Sequence, residues 1–404
     1  MPKKSLTEDF NSVVEKCFNL LEQTSEIERN VYNDVFDILY SSKEDYIHHY
    51  PRTLFLQVTS GCNLRCKHCF FNDNPEKYNT NNDLTKVELF EQLKFFVEDA
   101  NILYCILTGG EIFTCPYIFE IIEYLKEHSI TVKLVTNGTL ISEDIAKKLG
   151  KYLTRHDIIQ VSLEAPEAEI NDEIRGKGVF NKVINSIKYL VKNKLNVEIA
   201  ITANSINTDY IPQMYLLSKE LKVKRLNIGR FTAESSEQEY LIPTTENLFY
   251  NISKLYDIYS KTEVQLLIPC IKIPDFLKFE KGQNLLDKKL SEKTFSRQNF
   301  HCKKHHEQAA LFANGNIALC YECNINDVII GNIKNNSFDE IWKNRFTTPM
   351  FQPRLIDNHL CKKCKYIQLC LSGCPYRAFI KYGTLNAPGI ECSYFNTLGE
   401  QNEQ

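Results

Sequence analysis

The sequence predicts an α/β fold, a partial (β/α)6 barrel followed by a small cysteine-rich domain. From Leu54 onward, short β-branched runs alternate with amphipathic helical stretches, the pattern of βαβ units around a parallel sheet. The chain carries 15 cysteines in 404 residues, and most of them fall into two groups. One group directly follows the first strand-like run, and the other lies near the C-terminal end.

Residues 1–50 read as a helical extension ahead of the barrel. Their stretch VYNDVFDILY suits an apolar surface for a peptide segment, and a helix that caps the barrel is the alternative. The barrel occupies 51–262, with strands expected at Leu54 to Ser60, Ile102 to Thr108, Val132 to Thr136, Ile158 to Leu163, Val197 to Ala203 and Arg225 to Phe231. The first intervening helix has a capping-box signature, Thr85 and Glu88 ahead of Leu89, Leu93 and Phe96. Residues 263–300 are weakly periodic with mixed charge and read as a connector with one helix. A composition shift then opens a domain at 301–404, where Cys302, Cys320, Cys323, Cys361, Cys364, Cys370, Cys374 and Cys392 lie among Gly315, Gly331, Gly373 and Pro375. That is the composition of a domain organised by metal more than by an apolar core.

Bulk properties narrow the class. A hydrophobic content of 43 % supplies a core for a chain of this length. MPKKSLTEDF is polar with no apolar run behind it, and no segment reaches bilayer-spanning length, so a soluble cytoplasmic protein without a membrane partner is expected. Secreted disulfide scaffolds are short, so thiols bound to metal fit this cysteine content better. The net charge of -3 argues against a nucleic-acid surface.

Cys62, Cys66 and Cys69 are spaced C-x3-C-x2-C immediately after the first strand. A structural zinc closes its shell with four protein ligands, whereas three thiolates on an iron-sulfur cube leave the fourth iron open. In a parallel βα barrel the loops after the strands gather at one functional face. Thr108, Gly109, Gly110 and Glu111 follow strand two, Asn137 and Gly138 follow strand three, and Ser162 and Glu164 end strand four.

CNLRCKHC, LTGGEIF, VTNG, and VSLEAPE with IRGKG resemble the radical S-adenosylmethionine (SAM) superfamily over about Thr53 to Phe231. The resemblance implies a TIM-like partial barrel in which Cys62, Cys66 and Cys69 hold a [4Fe-4S] cluster. The open iron of that cluster chelates SAM, and one electron then yields a 5′-deoxyadenosyl radical. It further implies that Gly109, Gly110 and Glu111 meet the methionine amino group and that the glycines let backbone approach the ligand. Ser162 takes a ribose-binding place and Arg175 the methionine carboxylate. Asn137 joins the cofactor site. His68 occupies a position, usually aromatic, whose backbone reaches the adenine.

The C-terminal cysteines and the segment GNIKNNSFDEIW resemble the SPASM extension of such enzymes. By matching position, Cys361, Cys364, Cys370 and Cys392 hold one auxiliary [4Fe-4S] cluster, while Cys302, Cys320 and Cys374 hold a second. Cys323 completes that second shell, or the site stays open to substrate. Cys105, Cys17 and Cys115 read as buried core thiols, and Cys270 has no evident role.

The implied activity is modification of a ribosomally made peptide, by a carbon-carbon or thioether crosslink or a related change, with a precursor peptide or protein as substrate and flavodoxin or ferredoxin as electron donor. An anaerobic sulfatase maturase forming formylglycine is the alternative. Such enzymes carry an aspartate where Tyr321 stands, leaving Glu322 as the candidate catalytic carboxylate. A non-catalytic zinc-binding scaffold is the alternative of another class.

Overall fold

The computed structural model describes residues 10–24, 50–69, 79–233, 235–260, 262–291, 299–300, 307–322, 328–348, 354–355, 359–370, 372–390 and 392. Helix α1 (10–24) precedes the first strand, β1 (Thr53–Gln57). The βα units follow in order: α2 (Lys86–Lys94), β2 (Tyr104–Thr108), α3 (Ile118–Glu127), β3 (Thr131–Thr136), α4 (Glu143–Tyr152), β4 (Ile158–Ser162), α5 (Ala168–Arg175), α6 (Val179–Lys192), β5 (Val197–Ala203), α7 (Ile211–Glu220), β6 (Arg225–Arg230) and α8 (Thr245–Ile258). These six strands lie side by side in chain order, every neighbouring pair parallel. The capping box of α2 is formed as the sequence implies: Glu88 N–H donates to the Thr85 hydroxyl and Thr85 N–H to the Glu88 carboxylate.

Strand periodicity places one row of side chains beneath the helices. Leu54, Leu56, Cys105, Leu107, Val132, Leu134, Ile159, Val161, Ile199, Ile201, Leu226 and Ile228 are all buried. The opposite face of the sheet is mixed, with Phe55 and Ile106 on the first strands and a polar patch farther along, where Lys133 pairs with Glu198 at 2.8 Å and Asn227 donates to Glu198.

The sheet extends past the six expected strands at both edges. The segment read as a connector supplies β7 (Gln265–Leu267), parallel to β6, then the short α9 (Ile273–Phe276) and α10 (Glu280–Ser291). A three-residue strand is too short for period-two alternation to show. At the other edge, after β8 (Asn299–Phe300), β9 (Gln308–Leu311) pairs parallel with β1. It turns through Gly315, at φ +89°, into β10 (Asn316–Ala318), which pairs antiparallel with β9 and with β11 (Gly331–Asn332). The remaining elements are α11 (Phe338–Asn344), started by a Ser337–Glu340 capping box, β12 (Arg354–Leu355) paired with β8, α12 (Ile367–Cys370) and α13 (Pro375–Tyr382). Among the described residues no helix is long and apolar enough to cross a membrane.

Helix α1 packs against the β7 side of the barrel. Phe10 lies 4.9 Å from Phe279, Phe18 meets Phe276 edge-on at 5.4 Å, and the Cys17 thiol donates to Phe249 O at 3.1 Å. Cys270 is buried close enough to Cys17 to help raise its pKa, so it belongs to the same seat. The stretch VYNDVFDILY lies outside the described residues. Phe18→Ala is expected to destabilise the protein by about 3 kcal/mol, the usual cost of deleting a buried aromatic ring, as a lowered midpoint of urea unfolding.

Candidate active site

The cysteine loop begins where β1 ends and is held from several directions. Val58 N–H donates to Thr108 O at 2.9 Å, continuing the strand pairing. The Asp83 carboxylate accepts from the Thr59 hydroxyl and Ser60 N–H, both at 2.9 Å, and from the Ser60 hydroxyl at 2.6 Å. Gly110 N–H donates to Thr59 O at 2.9 Å and Glu111 N–H to Gly61 O at 2.8 Å. A Cβ on Gly109 would lie 2.7 Å from Thr59 O, and one on Gly110 only 2.2 Å from Gly61 O. These glycines therefore let two backbone loops meet, whereas the resemblance had them admit the ligand.

Farther along, Lys67 N–H donates to Ile174 O, Cys69 N–H to Cys66 O, and Arg65 Nη1 to Cys62 O. Gln238, buried in the turn after β6, donates to Lys67 O at 3.3 Å and Cys69 O at 3.4 Å. All three thiols are half-buried. Burial, with Cys69 and Cys62 nearby, pushes Cys66 up to about 11 and also raises Cys62. A bound metal reverses that preference, because only the thiolate ligates. Among the described residues no three His, Cys, Asp or Glu side chains converge on the position of one metal ion. Thiolates on a cubane each take a different iron, so the triad fits a cluster without such convergence.

The cofactor residues named from the sequence surround this loop. Glu111 is 1 % exposed; its carboxylate accepts from the Thr136 hydroxyl at 2.7 Å, Asn137 N–H at 2.6 Å and Phe113 N–H at 3.2 Å. Burial raises its pKa even against these donors. Asn137 Nδ2 reaches Asn63 Oδ1 at 2.8 Å and lies 4.0 Å from the Cys62 thiol. Ser162 ends β4, half-buried, in register with Ala200.

Glu164, 2 % exposed, is the hub. Its Oε1 takes Arg175 Nη1 at 3.0 Å and stands 3.2 Å from His68 Nε2, while its Oε2 accepts Thr202 N–H at 2.8 Å. Burial pushes its pKa up, but His68, Arg175 and the Thr202 amide outweigh burial and hold it below the usual range. Arg175 Nε is buried without a hydrogen-bond partner, so the guanidinium retains a donor for a further anion.

The second constellation approaches the same mouth. Tyr321 stacks between Phe55 at 5.9 Å and Phe312 at 5.7 Å, and Thr108 Oγ1 donates to its hydroxyl at 3.5 Å. Burial pushes this phenol up to about 12, with a smaller contribution from Cys69. Glu322 is exposed and pairs with Arg377 Nη2 at 3.3 Å, so it is the Tyr321 hydroxyl and not this carboxylate that meets β2. Cys361, Cys364 and Cys392 all lie near enough to Cys370 to raise its pKa, after burial, to about 12. Burial, with Cys320 and Glu322 nearby, raises Cys374 to about 11. Cys302 and Cys323 lie outside the described residues.

Two family profiles match this chain: the radical SAM superfamily at residues 56–215 and SPASM, an iron-sulfur cluster-binding domain, at 302–365. The chain belongs to the radical SAM superfamily and carries a SPASM domain. The AdoMet-dependent heme synthase of Methanosarcina barkeri is 26 % identical over 357 residues, 85 % of this chain and 97 % of that protein. The antilisterial bacteriocin subtilosin biosynthesis protein AlbA of Bacillus subtilis is 28 % identical over 222 residues, 55 % of this chain and 48 % of its own. Among solved structures, Streptococcus suis SuiB bound to S-adenosylmethionine superposes with a TM-score of 0.67 at 17 % identity, covering 91 % of this chain and 87 % of that one. This radical SAM/SPASM enzyme thus has the partial-barrel fold, and its two domains imply a SAM-binding [4Fe-4S] cluster with auxiliary clusters.

Sequence reasoning did not assign roles to Asp83, Gln238 or Glu164. Only Glu164 had a local signal, its place at the end of a strand beside Ser162. Gly110→Ala is expected to separate the two loops, leaving a folded protein that after anaerobic reconstitution holds about four fewer irons than wild type.

Proposed function

We propose that this enzyme modifies a peptide or protein, installing a carbon-carbon or thioether crosslink or a related change. The observation that carries the reading is the sharing of one mouth: the SPASM hairpin continues the barrel sheet through β9 and β1, bringing Tyr321, next to Cys320, against Thr108 of β2. A substrate over the cysteine loop then also lies beside the auxiliary site. The similarity to AlbA, a bacteriocin biosynthesis protein, supports the peptide class.

In this reading Cys62, Cys66 and Cys69 hold the cluster that binds SAM. Cys361, Cys364, Cys370 and Cys392 hold one auxiliary cluster, and Cys302, Cys320 and Cys374 with Cys323 hold the other. The SAM-bound cluster supplies, when present, hydrogen abstraction from an unactivated carbon. Glu111 accepts an ammonium through Oε2, which takes only Asn137 N–H and keeps a further lone pair, while Oε1 already accepts from Thr136 and Phe113; Gly109 and Gly110 set its backbone. Arg175 binds a carboxylate with Glu164 orienting it, and Ser162, Asn137 and His68 complete the cofactor site. Apolar strands and the Phe55–Tyr321–Phe312 stack keep water from the reacting carbon. A one-electron carrier such as flavodoxin or ferredoxin supplies the reducing electron, in a cytoplasmic setting that keeps the thiols reduced.

The heme synthase match, over nearly that protein's full length, favours a second reading in which the substrate is a heme precursor. The deciding experiment is anaerobic co-expression with short open reading frames encoded beside the gene, followed by mass spectrometry. A mass change in one peptide supports the proposal. Heme formation by the purified enzyme with every peptide unchanged would replace it.

Two variant sets test the residue roles. With three cubanes, wild type should bind about twelve irons, and the triple variant Cys62→Ala, Cys66→Ala, Cys69→Ala about eight, with no cleavage of SAM under reductant. Cys361→Ala should still cleave SAM yet yield no product. Glu322→Gln should leave product formation within about twofold of wild type, because its exposed ion pair carries little energy and stands away from β2. A hundredfold loss would restore the formylglycine reading.

A further inference from the structure

The inner face of the partial barrel carries a charged group that the cofactor site does not use. Leu226 and Ile228 turn toward the helices, so Arg225, Asn227 and Gly229 face inward, as do Lys133 on β3, Gln160 on β4, and Glu198 and Ala200 on β5. Glu198 is fully buried, and its Oε1 takes Lys133 Nζ at 2.8 Å and Asn227 Nδ2 at 3.3 Å. Arg225 donates through Nε to Gln265 Oε1 at 2.8 Å. Its Nη1 stays 3.7 Å from Glu198 Oε2, an oxygen buried without a hydrogen-bond partner. Among the described strands β1 to β7, Glu198 is the one acid in this inner row, against the cations Lys133 and Arg225. The row therefore holds one positive charge more than its own carboxylate matches. Lys133 also spends only one of its ammonium hydrogens on Glu198.

Open space leads to this group from the mouth. Glu198 lies in register with Gln160 and Arg225; Ser162, Ala200 and Asn227 form the level above, and Thr202 and Gly229 the next. Gln160, Ala200, Asn227 and Gly229 stay half-buried although each has a strand on either side, so they line an opening and not a packed interior. Apart from its chain neighbours, a Cβ on Gly229 would meet one atom within 4 Å, Ile201 O at 3.6 Å. One two-residue step, about 7 Å, separates the charged floor from the level of Ser162.

We propose that this floor binds a carboxylate of the substrate peptide, from an acidic side chain or the C-terminus, through Lys133 and Arg225. Gln160 donates beside them, and Glu198 holds the two cations in place. The inference rests on the peptide reading above and adds to it the chemistry of the residue next to the reacting carbon. Cations taken out of bulk water with one matching anion gain most from a second. An ion pair that only closed the barrel would need neither the surplus charge nor the passage above it.

The probe is the peptide that changes mass on co-expression, with versions in which each acidic side chain is replaced by its amide and one amidated at the C-terminus. Fragmentation should place the modified residue within about two positions of a carboxylate, because an extended chain advances about 3.4 Å per residue. Amidating that carboxylate should lower kcat/KM with the reconstituted wild type about tenfold, the size of one charge-assisted hydrogen bond. The separate amides show whether a side chain or the C-terminus is the source. Lys133→Gln should abolish the preference, but it strips Glu198 of a buried partner and risks the fold. Gln160→Glu avoids that risk, since it is isosteric and deletes no ion pair; its added charge opposes an incoming anion. At the iron content of wild type, this variant should process the acidic peptide about tenfold less efficiently and its amide within about twofold, so that the two become alike. The proposal is overturned if the modified residue has no carboxylate that near or if wild type treats acid and amide alike, results that need no variant. Equal losses for both peptides in Gln160→Glu would also overturn it, leaving the floor a structural ion pair. If no peptide changes mass, it is the proposed function that fails.

Discussion

The contact on which the site depends is the close approach of the loop after β2 to the loop after β1. Gly109 and Gly110 lie so near the Thr59, Ser60 and Gly61 carbonyls that any side chain would push the loops apart. That approach lets Glu111 N–H reach Gly61 O, and the Glu111 side chain then ties β2 to Thr136 and Asn137 at the end of β3. Asn137 in turn reaches Asn63, the residue after Cys62. On the far side, Ile174 O and Gln238 fix Lys67 and Cys69. The cysteines are thus placed by elements that hold no metal themselves, the arrangement by which a ligand set is kept ready for its cluster.

Two buried carboxylates on neighbouring parts of this mouth behave in opposite ways, and the reason lies in their partners. Glu111 takes its hydrogen bonds from neutral donors, and burial wins over them and over the weaker pull of Arg175. Glu164 has His68 and Arg175 against it, and they win over burial. A buried acid whose hydrogen bonds all come from neutral groups is the partner an incoming ammonium would satisfy. A buried arginine that already has one carboxylate and keeps a spare N–H is suited to share itself with a second. The electrostatic pattern therefore has the polarity of an amino acid head group.

Features legible in the sequence were those written over a few consecutive residues. The six strands show in their period-two burial, the α2 cap in a four-residue box, and the cysteine groups in their spacing. Features that were not legible depend on contacts between distant parts of the chain. Gln238 meets Lys67 across 171 positions, and nothing in SEQEYL marks it. Gly110 gave a signal with two readings, because a glycine that admits a ligand and one that admits a backbone look alike in sequence, and only the structure shows the backbone contact. The pairing of β9 with β1 was likewise hidden, since four residues from a cysteine-rich region carry no mark of which edge they join.

That pairing has a mechanical consequence. Because β9 is hydrogen-bonded in register along β1, from Thr53 opposite Gln308 to Leu56 opposite Leu311, the hairpin that leads to Cys320 is part of the barrel sheet and not a tethered module. The stack of Phe55, Tyr321 and Phe312 adds a packed contact on the same face, and Leu84 N–H to Ala313 O closes the turn against the segment that carries Asp83. Sheet hydrogen bonds and stacked rings do not yield gradually; they hold one geometry or open together. The spacing between the cysteine loop and Cys320 is therefore set by the fold. In the proposed reading, a substrate between them meets walls whose separation at the hairpin is set by the sheet.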